Sequence, residues 1–168
     1  MYSQLFDELN KKKPNGVFFM PFSPVHYEAM NITQQDLLAQ SQYLNIGERL
    51  EWQSEVGFCA TVFLHLNPVM IFGIVPIWNG VAEAWMIADD KIRNKPYTLT
   101  KYSKRFIDIV PISLALHRLQ ITVRIRDKRA VSWARFLGFT EEGILRGYGP
   151  DKANYYICLL YTSDAADE

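Results

Sequence analysis

The chain has 168 residues, 18 basic and 18 acidic residues, 49% hydrophobic residues and two cysteines. This composition is typical of one folded domain and excludes a disordered chain or a disulfide framework. The longest apolar runs, such as Val69–Trp78, are too short to span a membrane, and the N-terminus lacks the basic start of a signal peptide. We therefore expect a single domain in a reducing cytoplasm, with no membrane contact, no metal site and no nucleic-acid partner.

The N-terminal part of the chain predicts a helix and then a strand. Leu5–Lys13 favours a short helix that ends at the turn Pro14–Gly16, so that residues 1–16 form an N-terminal extension. The aromatic run Val17–Phe22 then predicts the first strand of a sheet, because aromatic and β-branched residues favour strands.

Helix-start signals follow this strand. Ser23 offers an N-cap with proline at the first helical position, and Thr33 with Asp36 forms a second start signal before an apolar pair. We expect one or two short helices over Pro24–Leu44, in a region that ends near Gly47.

Three antiparallel strands are predicted next, over Phe58–Leu66, Val69–Trp78 and Val81–Ala88. Asn67-Pro68 separates the first two runs. Asn79-Gly80 separates the second pair and predicts a type I′ turn, since both of its central residues tolerate positive φ.

A long helix and another strand come after these three strands. Thr98 or Thr100 is expected to cap a helix that runs to about His117, with Pro111 kinking or dividing it. Leu119–Ile125 alternates apolar and polar residues, which predicts a half-buried strand.

The last helix and the last two strands have clear local signals. Asp127 is expected to cap a helix over Lys128–Leu137, which Gly138 ends. Phe139–Leu145 and Asn154–Ile157 predict the final strand pair. The element order favours a layered α/β domain with a mixed, mostly antiparallel sheet and helices on both faces.

The final eleven residues, Cys158–Glu168, change abruptly from an aromatic segment to a small, acidic one. They are either a frayed terminus or a foreign segment, and CLLYTSDAADE equals one translation of the end sequence of a transposon-based sequencing adapter. We expect the segment to be non-native, so that the domain occupies residues 1–157 and the natural chain continues past Ile157. The segment holds Asp164, Asp167 and Glu168 but no base, so the remainder would carry a net charge of +3.

Two motifs near the C-terminus resemble a known superfamily. DKRAVSWARFLGF (Asp127–Phe139) is similar to the pattern Asn-x-x-Ala/Ser, helix, Leu-Gly-Phe of the GNAT acetyltransferases. EGILRGY (Glu142–Tyr148) resembles the Glu-Gly-x-x-Arg-x-Tyr of their ribosomal-protein N-terminal branch. With the strand order, the resemblance covers roughly Val17–Ile157. It implies a GNAT-like fold and the transfer of an acetyl group from acetyl-CoA to a small-molecule or protein amine.

A second resemblance is to the short acetyltransferase-like proteins of podophages, which include an internal virion protein. It rests on EAWMIADD (Glu83–Asp90), where a strand with tryptophan follows an exposed hairpin. It implies the alternative of an inactive GNAT-fold protein with a structural or binding role, in the host cytoplasm or the virion, with other virion proteins as partners.

The GNAT resemblance also assigns contacts to acetyl-CoA. It implies that strands Val81–Ala88 and Leu119–Ile125 separate at their ends and leave unpaired backbone groups for the pantetheine arm. It further implies that the pyrophosphate lies at the N-terminus of the following helix. The residues assigned to acetyl-CoA in this way are Met86, Ile87, Ala88, Arg93, Thr98, Asp127, Lys128 and Arg129.

The sequence departs from the GNAT pattern at two places. The segment between Ala88 and Lys101 has no glycine, although the family cradles the pyrophosphate in a glycine-rich loop. Ala134 stands where the family often has the tyrosine that protonates the departing thiolate.

The resemblance places two catalytic candidates. Glu83 lies on the strand beside the cleft, where the family often has a general base, and Tyr148 is the candidate acid in place of the absent tyrosine. Structural roles stay open for each: Glu83 as a solvent-facing strand residue, Tyr148 as a packing residue and Asp127 as a helix cap. Lys128 and Arg129 are equally compatible with a solvated surface.

Overall fold

The computed structural model describes residues 2–14, 16–32 and 45–161. None of the helices in these ranges is long and apolar enough to cross a membrane. The helices are α1 Ser3–Asn10, α2 Pro24–Glu28, α3 Ile46–Val56, α4 Asp90–Arg93, α5 Pro96–Ser113 and α6 Lys128–Phe136. The strands are β1 Val17–Pro21, β2 Phe58–Leu64, β3 Asn67–Trp78, β4 Val81–Ala88, β5 Arg118–Arg124, β6 Thr140–Leu145 and β7 Tyr155–Tyr161.

The seven strands form one sheet in the order β1-β2-β3-β4-β5-β7-β6. Every neighbouring pair is antiparallel except β4 and β5, which are parallel. The chain crosses from β4 to β5 through α4 and α5, as a parallel pair requires. The predicted mixed, mostly antiparallel sheet is confirmed.

Helices cover both faces of the sheet, also as predicted. On one face, which we call the α5 face, α1, α5 and α6 pack over the larger core, with Phe106 and Val110 fully buried. On the other, the α3 face, α2 and α3 enclose a smaller core around Leu50 and Ile87. Side chains of β4 alternate between the two faces because a strand repeats every two residues.

The N-terminal helix is integrated into this core. Leu9 of α1 is 0% exposed, and the Arg105 side chain of α5 donates to the Leu9 carbonyl at 2.6 Å and the Glu8 carbonyl at 2.8 Å. A cation is favourable at this end of a helix, where carbonyl groups lack partners. The predicted N-terminal extension thus contributes to the same core as the rest of the domain.

The hairpin turns differ from the prediction. Asn79-Gly80 does join β3 to β4, but only Gly80 has positive φ (79°), so the predicted type I′ turn is wrong. The β2–β3 turn is formed by His65 and Leu66, which both have positive φ. Asn67, expected to separate the strands, is the first residue of β3.

The helices between β1 and β5 also differ from the prediction. Gly47 does not end a helical region but lies in the first turn of α3, which Asn45 caps and no pattern had indicated. Thr98 lies inside α5, whose first residue is Pro96. Pro111 lies near the end of α5 and does not divide the helix. The predicted helix start at Thr33 falls outside the described residues, as does most of the region it begins.

The last strand extends farther than predicted. β7 runs to Tyr161 rather than Ile157, and Cys158 and Leu159 are buried between β5 and β6. Four of the eleven residues in the segment expected to be foreign are therefore strand residues, because their apolar side chains suit this position. Residues 162–168 lie outside the described ranges.

Candidate functional site

The parallel strands β4 and β5 pair over only three positions. Val81, Ala82 and Glu83 lie opposite Arg118, Leu119 and Gln120, and beyond this point the described chain shows no pairing between the two strands. β5 stays paired with β7 along its whole length, whereas residues 84–88 of β4 keep only β3 as a strand partner, and the next residue, Asp89, forms an isolated bridge with Ile32. A gap therefore opens between the carboxyl ends of β4 and β5, where the resemblance implies one.

Hydrogen bonds at the end of β4 show which backbone groups face this gap. Asp89 donates its N–H to Val69 of β3 at 2.9 Å, and Asp90 donates to the Asn31 carbonyl on the opposite edge. Because successive backbone groups of a strand point to opposite edges, Ala84, Met86 and Ala88 direct theirs toward the gap.

Ile87 is placed differently from its two neighbours. Its backbone groups face β3, and its side chain is buried on the α3 face. Of the three predicted contacts on this strand, the backbone of Met86 faces the gap, that of Ala88 faces the same edge beside the bridge between Ile32 and Asp89, and that of Ile87 faces β3. The Met86 side chain lies on the α5 face, where its sulfur is 3.8 Å from the Ser103 hydroxyl.

The opposite wall of the gap is β5. Ile125 donates its N–H to Asn154 at 3.1 Å on the β7 side, so the same alternation turns the backbone groups of Thr122 toward β4, while the Arg124 carbonyl accepts from the N–H of Asp127 at 3.1 Å. Backbone groups of both strands thus face the gap, and such groups require hydrogen-bond partners when they are removed from water.

Glu83 lies at the last paired position, directly below the gap, with its side chain partly buried on the α3 face. Gln120 of β5 donates from Nε2 to the Glu83 carboxylate at 3.1 Å and thereby orients it. Sequence reasoning missed Gln120, although its outward position on the alternating strand opposite Glu83 was a usable signal.

Arg118 is the next polar side chain after Gln120 on the same face of β5, on the side away from the gap. Its guanidinium donates to Glu142 of β6 at 2.9 Å and weakly to Gln120 at 3.5 Å. The hydrogen bond from Arg118 lowers the pKa of Glu142, and the same bond raises the pKa of Arg118. The carboxylate and the guanidinium therefore both stay charged at neutral pH.

Tyr148 does not come close to Glu83. Its ring packs edge-on against Tyr155, with the centroids 5.4 Å apart, and 53% of the residue is exposed. Tyr155 pairs with Arg124, four residues beyond Gln120, which is about 13 Å along the strand. The two predicted catalytic residues thus lie at different positions along the strand direction of the sheet.

The segment after β4 folds into the short helix α4 instead of a phosphate loop. Asp89, 4% exposed, accepts from the N–H groups of Lys91 at 2.8 Å and Asn31 at 2.7 Å. Its carboxylate therefore occupies the Lys91 N–H, a backbone donor that an open loop would offer to an anion. The segment without glycine that the sequence showed thus forms a helical turn, which the Asp89 side chain caps.

The N-terminus of α5 follows directly. Pro96 is its first residue, and helix geometry leaves the N–H groups of Tyr97 and Thr98 without an intrahelical acceptor. Arg93 is partly buried one turn before this point, and Lys91 and Lys95 are exposed on either side of it. Two backbone donors and three cations thus lie at one end of the gap.

At the start of α6, Asp127 acts as a helix cap. Its carboxylate accepts from the N–H of Ala130 at 3.0 Å, which confirms the predicted cap. Lys128 and Arg129 are exposed in the first helical turn, and Ala134 is buried. No cluster of potential metal ligands occurs in residues 2–14, 16–32 and 45–161.

No protein-family model matches the chain, and no curated protein is significantly similar to it. Solved structures are similar over most of its length. The spermidine N-acetyltransferase of Vibrio cholerae, in complex with CoA and spermine, has a TM-score of 0.73 at 16% identity, covering 89% of this chain and 98% of that one. A GNAT-family acetyltransferase of Bacillus anthracis has a TM-score of 0.68 at 14% identity, covering 89% and 96%. The chain has the GNAT fold.

Another protein with this fold is the ribosomal-protein-S5-alanine acetyltransferase of Vibrio fischeri, with a TM-score of 0.69 at 12% identity and coverage of 90% of this chain and 96% of that one. Within the GNAT fold of the present chain, the gap lies at the one parallel pair among the described strands. The sequence-level resemblance to GNAT proteins therefore predicted the fold and the position of the gap.

Proposed function

We propose that the protein transfers an acetyl group from acetyl-CoA to an amine. The observation that carries this proposal is the gap between β4 and β5, in which the backbone groups of Met86 point away from β3 and have no residue of β5 paired with them. An extended, amide-containing chain such as pantetheine can add to this edge as a strand would.

The phosphates of acetyl-CoA would lie beyond the end of β4. Tyr97 and Thr98 offer backbone N–H groups at the positive end of the α5 dipole, and Arg93 adds a guanidinium nearby. Lys128 and Arg129, exposed at the start of α6, are available to the phosphate on the adenosine ribose of acetyl-CoA.

In the transfer step, the amine nitrogen attacks the thioester carbonyl, so that a C–N bond forms and the C–S bond breaks. Glu83 is the proposed general base that takes the amine proton, since Gln120 holds its carboxylate at the closed end of the gap. The thiolate of CoA leaves and takes a proton from water, because Tyr148, the donor predicted from the sequence, packs against Tyr155 away from Glu83. Holding the two substrates together supplies the rest of the rate enhancement.

Calorimetry with acetyl-CoA, together with thiol release in the presence of spermidine or a protein amine, tests this proposal. Glu83→Gln should leave acetyl-CoA affinity within about 3-fold and lower kcat by about 100-fold or more. Glu55→Gln, an exposed change on α3, is the matched control. A protein that binds no acetyl-CoA, or one in which both variants retain full activity, would contradict the proposal.

A second candidate is an inactive GNAT-fold protein that has a binding or structural role. Two observations favour it: the Asp89 carboxylate occupies the Lys91 N–H in the loop after β4, and Ala134 replaces the family tyrosine. This candidate predicts no thiol release with any amine. The role within virions rests on the podophage resemblance, and mass spectrometry of purified virions tests it.

A further inference from the structure

A second cleft lies on the α5 face, at the edge of the sheet formed by β1. It has a volume of about 360 Å³, is open to solvent on one side and is lined by Lys12–Pro14 and by the middle of α5. The charged residues that line it are Lys12, Lys13, Lys101, Lys104, Arg105 and Asp108. Five cations thus face one carboxylate, in a chain whose formal net charge is zero.

The cations come from two elements that converge. Lys101, Lys104 and Arg105 lie on one side of α5 because residues three and four apart share a helix face. Lys104 is neutralised by an ion pair with Asp108, one turn farther along. Lys12 and Lys101 have no carboxylate partner among the residues that the structure describes.

Arg105 is held in place before any ligand binds. Its Nε donates to the Leu9 carbonyl at 2.6 Å, and Nη2 donates to the carbonyls of Glu8 and Lys11. All three acceptors are neutral, so the charge of the guanidinium is not cancelled. Within the described ranges, Nη1 has no acceptor and stays available as a donor.

Lys13 is also positioned, since its Nζ lies 3.8 Å from the centroid of the Phe18 ring. Isolated surface lysines are normally mobile and solvated. Here a fixed guanidinium, a lysine held over a ring and two unpaired lysines converge on one concavity.

We propose that this cleft binds a small molecule with two or more phosphate groups. Phosphate oxygens accept charge-assisted hydrogen bonds from Lys and Arg, and 360 Å³ is at the lower end of volumes for small-ligand sites. A nucleic-acid strand fits less well because the aromatic residue at the cleft, Tyr102, is buried and cannot stack on bases.

The cleft is separate from the gap between β4 and β5. β1 is three strands from β4, which corresponds to about 14 Å across the sheet. The proposal therefore does not depend on acetyl-CoA binding, and each can fail without the other.

Isothermal titration of the full chain with inorganic pyrophosphate at low salt tests the proposal. Lys12→Glu and Lys101→Glu should each weaken pyrophosphate binding by about 10-fold or more. A matched charge reversal elsewhere, Lys152→Glu in the β6–β7 loop, should change it by less than about 2-fold, and Lys128→Glu at α6 reports any binding at the acetyl-CoA gap. All four lysines are exposed, so circular dichroism and the Tm should confirm that each variant folds.

Several results would overturn the proposal. One is the absence of pyrophosphate binding. Another is an equal loss of pyrophosphate affinity in all four variants, which would show only an effect of the overall charge of the protein. A loss confined to Lys128→Glu would place the anion at the acetyl-CoA gap. Tighter binding of a ten-nucleotide single strand than of pyrophosphate, with a steep salt dependence, would replace the small ligand by a nucleic acid.

Discussion

Replacing Asp89 by alanine should destabilise the protein strongly, although the residue is in a connecting segment. Its carboxylate is buried and joins two parts of the chain 58 residues apart, through the N–H of Lys91 and the N–H of Asn31. Loss of the cap on α4 costs about 1 kcal/mol. Loss of the charge-assisted bond to Asn31 costs about 1.5–3 kcal/mol, so the total is about 2.5–4 kcal/mol.

Urea denaturation followed by tryptophan fluorescence measures this effect. Asp90→Ala is the matched control, because Asp90 is the next residue and is exposed, and it should change the free energy of unfolding by less than about 0.5 kcal/mol. Asp89→Asn should be intermediate, since one amide oxygen can still accept. If Asp89→Ala and Asp90→Ala unfold at the same urea concentration, the buried carboxylate does not organise this segment.

Three further predictions concern other parts of the fold. Gly73→Ala should cost about 1–3 kcal/mol in urea unfolding, because a Cβ at residue 73 would lie 2.1 Å from the Trp85 ring; an unchanged midpoint would contradict this contact. Burial raises the pKa of Cys59 to about 12, so iodoacetamide at pH 8 should label it far more slowly in the native protein than in urea, and equal rates would refute the burial. Arg118 lowers the pKa of Glu142 in the folded state, so the stability from this group is present above the ordinary carboxyl pKa and is lost as the pH falls through the folded value. The stability difference between Glu142→Gln and the parent should therefore vanish in acid, and a difference that does not depend on pH would exclude this ion pair as its source.

Features that depend on neighbouring residues were predicted well from the sequence. Val81–Ala88 was predicted with the observed bounds of β4, because its apolar and β-favouring residues lie between a turn and a polar segment. Asp127 caps α6 and Gly138 ends it with φ of 100°, as the local cap and stop signals indicated. The order of elements followed from such signals, and the sheet was then inferred from that order and the GNAT resemblance.

Contacts between distant parts of the chain could not be predicted in the same way. The helix α3 has mixed polar and apolar residues and contains Gly47, so it depends on packing of Leu50 into the smaller core. His65 and Leu66 adopt positive φ because the pairing of β2 with β3 requires a two-residue turn there, a demand that their side chains do not reveal.

The sequence by itself determined the fold class, the order of the strands and the type of residue at each candidate position. Only the tertiary structure decided which backbone edges stay unpaired, that Gln120 orients Glu83, and that Tyr148 lies at another level of the sheet. It also decided that Asp89 turns inward to bind amides and that Lys12 and Lys101 share one cleft. The physical reason is that secondary structure follows from interactions over a few residues, whereas a site depends on the register and separation of strands that are distant in the chain.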